Sequence, residues 1–209
     1  DKVVVTGGAG FIGANLCRHL VDTGAATEVV AFDNLSTGFA ENVAAIPGVQ
    51  LVEGDILDQA HLTEVLAGAA AVVHLAARPS VPKSIDDPLA SHDNNATGTI
   101  RVLEAMRAAG VPRVVVASSS SVYGANPVLP KVETLTPMPV SPYAVSKLAT
   151  EAYALSYQRV FGLEAVAFRF FNVFGPLQRA GHAYAAVVPA FVDAALAGRP
   201  LPVHGDGGQ

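Results

Sequence analysis

Val3-Val4-Val5 is an apolar run without polar alternation, the pattern of a strand buried on both faces of a parallel sheet. A glycine cluster follows, and from Phe11 to Thr23 apolar residues recur at helical spacing until Gly24 stops them. The alternation then repeats. Further strands are expected at Val29–Phe32, Val49–Glu53, Ala71–Leu75, Arg113–Ala117 and Glu164–Arg169. Helices are expected near Asp58–Leu66, over Leu89–Ala109 before Gly110, and over Pro142–Phe161 before Gly162. Strand–helix alternation with buried strands predicts an α/β fold built on a doubly wound parallel sheet. The proline-rich stretch from Ala125 to Ser141 is a long loop, and loops of that length in compact domains are usually functional.

Composition narrows the partners. The chain has 209 residues, 51% hydrophobic and 15% charged, which is an ordered globular composition with enough apolar mass for one buried core. Its net charge is −5 with no basic block, which speaks against duplex nucleic acid or an anionic membrane as a partner. An acidic chain can still hold an acidic ligand through backbone amides and a few placed cations. Cys17 is the single cysteine, so an internal disulfide and a thiolate zinc site are both excluded; it falls on an apolar helical stripe and reads as core. No apolar run is long enough for a membrane span, and the expected location is the cytosol. The turn-like Gly205–Gln209 is expected to lead into further chain.

Gly7-Gly8-Ala9-Gly10-Phe11-Ile12-Gly13 follows the first strand and opens the first helix. Glycines there let the backbone turn tightly and approach a pyrophosphate, whose charge then sits at the helix N-terminus. Asp33 lies about twenty positions further on, at the end of the second strand. Its carboxylate can accept from a ribose diol and would repel a 2′-phosphate, which favours NAD over NADP. Asp55, after the third strand, could hold an adenine amino group or could equally serve as an N-cap or turn residue. Leu75-Ala76-Ala77, after the fourth strand, are small enough for close approach of a cofactor; His74 beside them reads as structural.

Tyr143 and Lys147 are four apart at the start of a helix, hence on one face. A lysine close to the phenol would lower a tyrosine pKa from about 10 toward neutrality and make it a general base for an alcohol. Ser118-Ser119-Ser120-Ser121 lies just after the fifth strand, at the sheet edge where ligands bind in such folds.

Together with Asp33-Asn34-Leu35, Gly54-Asp55-Ile56, His74-Leu75-Ala76-Ala77, the Asn94–Thr99 run and Arg169–Pro176, these motifs resemble the extended short-chain dehydrogenases, and more narrowly their nucleotide-sugar epimerases. The resemblance covers essentially the whole chain. It implies a Rossmann domain over 1–172 and the start of a small C-terminal substrate domain over 173–209. It implies Ser119, Tyr143 and Lys147 as the catalytic set. NAD contacts would come from Gly7, Gly10, Phe11, Ile12, Gly13, Asp33, Asn34, Ser36, Thr37, Gly38, Asp55, Ile56, Leu75, Ala76, Ala77 and Asn95, besides Tyr143 and Lys147. Ser80 would lie near the sugar and Asn172 at the UDP phosphates. Members commonly dimerise through their two long helices, here near 89–109 and 142–161, so a homodimer is expected.

The resemblance also bears on the reaction. Dehydratases of this kind carry an acidic residue or an Asp-Glu pair just before Val-Tyr-Gly, and UDP-glucuronate decarboxylases usually a glutamate; here those positions are Ser120 and Ser121, which cannot serve as a carboxylate. What remains is oxidation at C4, rotation of the ketone and reduction on the opposite face, that is, 4-epimerisation of a UDP-hexose. The run Gly181–Pro189 resembles UDP-glucose and UDP-N-acetylglucosamine 4-epimerases. Arg179 lies where glucuronate epimerases present an arginine to the sugar carboxylate, or is a solvated loop residue; Asn172, where those enzymes can have threonine, tilts the reading to neutral hexoses. A UDP-glucuronate 4-epimerase is the first alternative, ahead of a dehydratase or decarboxylase and of a catalytically silent NAD-binding regulator.

Overall fold

The computed structural model describes residues 1–179, 187–203 and 206. Six strands form one parallel sheet: β1 (Lys2–Thr6), β2 (Glu28–Asp33), β3 (Val49–Glu53), β4 (Ala69–His74), β5 (Arg113–Ser119) and β6 (Glu164–Phe170). Their order is β3-β2-β1-β4-β5-β6, so the chain reverses direction across the sheet between β1 and β4. That switch leaves a crevice above the carboxyl ends of the central strands, where ligands bind in doubly wound folds.

The valine runs explain the two layers. Successive strand residues point to opposite faces, so Val4, Val30 and Phe32 bury into one core with Leu62, Leu66, Leu103 and Met106. Val5, Val29 and Ala31 bury into the other with Ala14, Cys17, Val43 and Ile46. The first core is closed by α3 (Gln59–Leu66), α6 (Gly98–Ala109) and α7 (Pro142–Phe161), the second by α1 (Phe11–Asp22) and α2 (Glu41–Ala44). Cys17 is fully buried and its thiol is pushed up to about 12 by desolvation, which makes it an inert core residue.

Helix ends follow local chemistry. The Ser141 hydroxyl accepts from Ala144 N (3.1 Å), Pro142 occupies the first turn, and Gly162 stops α7 in a left-handed conformation at φ 75°. The helix expected as one piece over 89–109 is instead three: α5 (Pro88–His92), a π-helical turn over Asp93–Thr97, and α6. A π turn inserts an extra residue into the helical ladder and re-aims the side chains it carries. Between β4 and α5 lies the short α4 (Val81–Asp86), which sequence periodicity did not reveal.

Backbone packing divides the chain into Asp1–Phe171 and Asn172–Gln209. The second unit contains α8 (Val187–Leu196). Residues 181–186 of the epimerase-like run, and four of the five residues of Gly205–Gln209, lie outside the described residues.

Candidate active site

The glycine loop crosses from β1 to α1 with its backbone packed against its neighbours. Gly7 N donates to Phe32 O (2.8 Å), and Gly7 has φ 71°. A Cβ at Gly7 would sit 2.7 Å from Ala76 N, and one at Gly13 would sit 2.2 Å from Gly7 O. Gly10 has room to spare apart from Gly7 O at 3.2 Å, so its bare backbone is open to a ligand at the head of α1, where Phe11 and Ile12 begin the helix. This is a cradle a pyrophosphate fits.

Asp33 does more than end β2. Its Oδ2 accepts from Ala9 N (3.0 Å) and its Oδ1 from Leu35 N (2.8 Å), so the carboxylate braces the glycine loop and its own turn. Gly38 packs on it, a Cβ there falling 2.9 Å from Oδ2. Asn34, Ser36 and Thr37 complete this turn, with Ser36 N donating to Asn34 Oδ1 (3.1 Å). Asn34 Nδ2 also donates to Asp55 Oδ2 (2.9 Å), while Asp55 Oδ1 accepts from Leu57 N (2.9 Å). Asp55 thus takes the turn role left open by the sequence, next to the buried Ile56.

A chain of buried hydrogen bonds runs from β1 to α7. His74 Nδ1 meets Thr6 Oγ1 (2.7 Å) and Nε2 meets Thr99 Oγ1 (3.2 Å). Thr99 bonds Thr150 Oγ1 (3.0 Å) and the Asn95 carbonyl (2.6 Å). The side chain of Asn95, placed by the π turn, accepts from Arg78 N (2.7 Å) and donates to Ser146 Oγ (2.9 Å), whose hydroxyl donates to Tyr143 O (2.8 Å). Burial and the Lys147 charge hold His74 neutral, down to about 3, so it is a structural hinge pin and not a proton carrier. Leu75-Ala76-Ala77 leave β4 over the glycine loop, with Ala76 N donating to Thr6 Oγ1 (3.3 Å).

The chemistry-bearing residues converge at the end of β5. Tyr143 N donates to Ser84 Oγ of α4 (3.0 Å), which seats the first turn of α7. Ser119 lies near enough to the Tyr143 phenol to favour its ionised form, and its hydroxyl accepts from Ser121 N (3.2 Å) and Ser121 Oγ (2.9 Å). Lys147 is buried and donates to Ala117 O (2.9 Å). Ser80 caps α4 through Lys83 N (3.3 Å) at φ 108°. Asn172 and Arg179 fall in the second unit.

One expectation is corrected by the electrostatics. Lys147 was expected to draw the Tyr143 pKa down; instead burial raises it, with the Ser119 hydrogen bond the only opposing influence. The reason is that desolvation penalises phenolate by more than Ser119 favours it. Burial also pulls Lys147 down to about 8. A lysine whose folded pKa lies below its unfolded value of about 10.4 binds fewer protons folded than unfolded between those pH values. Stability should therefore rise with pH from about 8 to about 10 relative to Lys147→Met, measured by urea unfolding; a pH-independent difference between the two proteins would contradict the buried ammonium.

The sequence reading missed a supporting pair. Arg169 grips Glu151 through Nη2–Oε1 (2.6 Å) and Nε–Oε2 (2.9 Å), both side chains being largely buried, and Ser118 Oγ donates to Glu151 Oε2 (3.0 Å). Glu151 stands four residues past Lys147, so the helical spacing Tyr143, Lys147, Glu151 carried the signal. The pair ties α7 to β5 and β6. Beside them opens a cavity of about 370 Å³ lined by Val81, Ile85, Ser120, Ser121, Tyr123, Gly124, Lys131, Val140, Ser141 and Phe171. The arrangement can remove a proton from an alcohol held between Ser119 and Tyr143.

The comparisons with known proteins agree with this geometry. Residues 3–209 match the model of the NAD dependent epimerase/dehydratase family. A UDP-glucose 4-epimerase of Mycolicibacterium smegmatis is 42% identical over 99% of the chain and 66% of its own length. The UDP-N-acetylglucosamine 4-epimerase of Methanobrevibacter ruminantium M1, solved with UDP-N-acetylmuramic acid, superposes with a TM-score of 0.93 at 40% identity, over 100% of this chain and 66% of that one. A dTDP-glucose 4,6-dehydratase of Streptomyces venezuelae, solved with NAD, superposes at 0.88 with 36% identity, over 99% and 66%. The chain spans about two thirds of the length of these relatives. By the family match over nearly its whole length, this chain belongs to the NAD dependent epimerase/dehydratase family.

Proposed function

We propose that this protein epimerises a UDP-hexose at C4, with NAD as its cofactor. The observation that carries the reading is the convergence of Ser119, Tyr143 and the buried Lys147 at the carboxyl edge of a parallel sheet, beside a cavity lined by no carboxylate among the described residues. The glycine cradle, with Asp33 and Asp55 at the next two strand ends, fits NAD, and Gly7, Gly10, Gly13, Asp33 and Asn34 would hold it. When bound, NAD would supply a reversible hydride acceptor for the oxidation at C4.

The protein's own part is to move one proton. In its ionised form, which the positive nicotinamide of bound NAD would have to favour against the burial that raises the phenol's pKa, Tyr143 accepts the proton of the 4-hydroxyl at Oη and returns it once the ketone has presented its other face. Ser119 favours the phenolate by hydrogen bonding, and Lys147 holds the base of the site together through Ala117. Ser80, Asn172 and Arg179 are assigned to the sugar and the UDP. The relatives named above support this substrate class, since two of the three are UDP-sugar 4-epimerases. The dehydratase relative keeps elimination in view as the rival. Ser120 and Ser121 line the cavity where that chemistry would need a carboxyl group, and neither hydroxyl can act as one at neutral pH. The reading includes a homodimer through α6 and α7, and α7 leaves Val145, Leu155, Val160 and Phe161 exposed.

The test is product identity: incubation with UDP-glucose, UDP-N-acetylglucosamine and UDP-glucuronate separately, with chromatography and NMR. A 4-epimer from at least one is expected; none from any would remove the reading. Cofactor choice is a separate prediction. NAD should bind at least about tenfold more tightly than NADP, about 1.4 kcal/mol or more, and Asp33→Ala should weaken NAD and narrow that gap. Equal calorimetric affinities of the wild type for the two dinucleotides would take Asp33 out of ribose recognition.

A further inference from the structure

Among the described residues, Lys131 is the one charged residue lining the cavity beside Ser119 and Tyr143. It stands in the proline-rich loop, and its ammonium donates to the backbone carbonyl of Asn126. No carboxylate among the described residues pairs with it. An ammonium has three N–H donors, so two remain after the Asn126 contact. Val81, Ile85, Val140 and Phe171 give the cavity an apolar wall. A cation against such a wall gains from a counter-ion, because water is partly displaced there and the local dielectric is low. Ser120, also lining the cavity, spends its hydroxyl on no hydrogen bond among the described residues, while Ser121 is occupied with Ser119.

The position of this charge selects the ligand group. Ser121 touches Ser119, and Ser141 caps the helix whose second residue is Tyr143, so the cavity adjoins the reacting carbon's place. Its volume of about 370 Å³ sits at the small end of ligand pockets, which run from about 300 to 1,000 Å³. That suits a sugar ring and its substituents and not a whole nucleotide.

We propose that Lys131 and Ser120 form a carboxylate-reading subsite, so that the hexose this enzyme prefers carries a carboxylate among its substituents. The inference rests on the proposed UDP-sugar reading and sharpens it. It reverses the tilt toward neutral hexoses drawn from Asn172. The competing source of negative charge is the UDP diphosphate, which is shared by acidic and neutral sugars and therefore cannot alter their ratio.

Two matched pairs test it: UDP-glucose against UDP-glucuronate, and UDP-N-acetylglucosamine against UDP-N-acetylmuramic acid. Dissociation constants are measured by calorimetry for wild type, Lys131→Met and Lys131→Arg, with UDP alone as the diphosphate control and epimerisation followed in parallel. The wild type should bind the acidic member of at least one pair about tenfold more tightly, the scale of one charge-assisted hydrogen bond. Lys131→Met should erase that ratio, and Lys131→Arg, which keeps the charge and the loop tether, should retain most of it. A ratio under about threefold in both pairs, or one that Lys131→Met leaves unchanged, overturns the proposal. Equal weakening of UDP and of every sugar in Lys131→Met also overturns it, since the cation would then serve the diphosphate. An acid preference without epimerisation would spare the subsite and sink the reaction; epimerisation of neutral sugars with no acid preference would do the reverse.

Discussion

Tyr143→Phe should lower turnover by at least about 10³-fold, because it removes the oxygen proposed to take the 4-hydroxyl proton. The ring would stay, so α7 keeps its seat: Tyr143 is held at its backbone by Ser84, not by its phenol. NAD and UDP-sugar affinities should remain within a few-fold of wild type. Ser119→Ala should cost less, about 10²-fold, since a hydrogen-bond partner is lost and not the base itself. Calorimetric titration beside steady-state rates separates the two effects. Near-normal turnover in Tyr143→Phe would place the base elsewhere.

Gly13→Ala should damage the fold as well as the cofactor site. Its Cβ would meet Gly7 O at 2.2 Å and Gly8 Cα at 2.8 Å, all backbone, with nothing flexible to give way. The head of α1 would have to move off β1, at a cost of about 3 kcal/mol or more. Gly10→Ala is the informative contrast. Only Gly7 O, at 3.2 Å, crowds that Cβ, so the fold should tolerate it with a loss under about 1 kcal/mol. The new methyl would nonetheless stand where the pyrophosphate approaches, and NAD affinity should fall by about tenfold or more. Thermal melts of the two variants without cofactor, followed by NAD titration of Gly10→Ala, check both halves. A Gly10→Ala protein that binds NAD normally would show that the diphosphate takes another path.

These contrasts mark what a single chain of letters can carry. Local chemistry was legible: Ser141, Pro142 and Gly162 bounded α7 because caps and left-handed glycines act within a few residues. The valine runs gave the buried parallel sheet for the same reason, since period and branching are local properties. The π turn at Asp93–Thr97 was not legible, because one extra residue in a helical ladder leaves the apolar spacing nearly unchanged. The direction of the Tyr143 shift was misread because spacing reports nearness along a helix and not burial. Lys147 is near in sequence, but the burial that penalises the Tyr143 phenolate is set by the fold around it. Arg169 and Glu151 come from β6 and α7, and only the fold brings them together under Ser118.

The central claim, that Tyr143 and Ser119 serve a 4-epimerisation and not an elimination, is tested most directly by labelling the substrate at one position. UDP-hexoses carrying deuterium at C4, including the acid UDP-glucuronate, are turned over to equilibrium and the products read by mass spectrometry and NMR. An epimerase leaves the mass unchanged, keeps the deuterium at C4 and inverts the configuration there. That is the expected result. A product lighter by one water with the deuterium moved to C6, or one lighter by carbon dioxide, would contradict the account and require an acid or base that neither Ser120 nor Ser121 can supply.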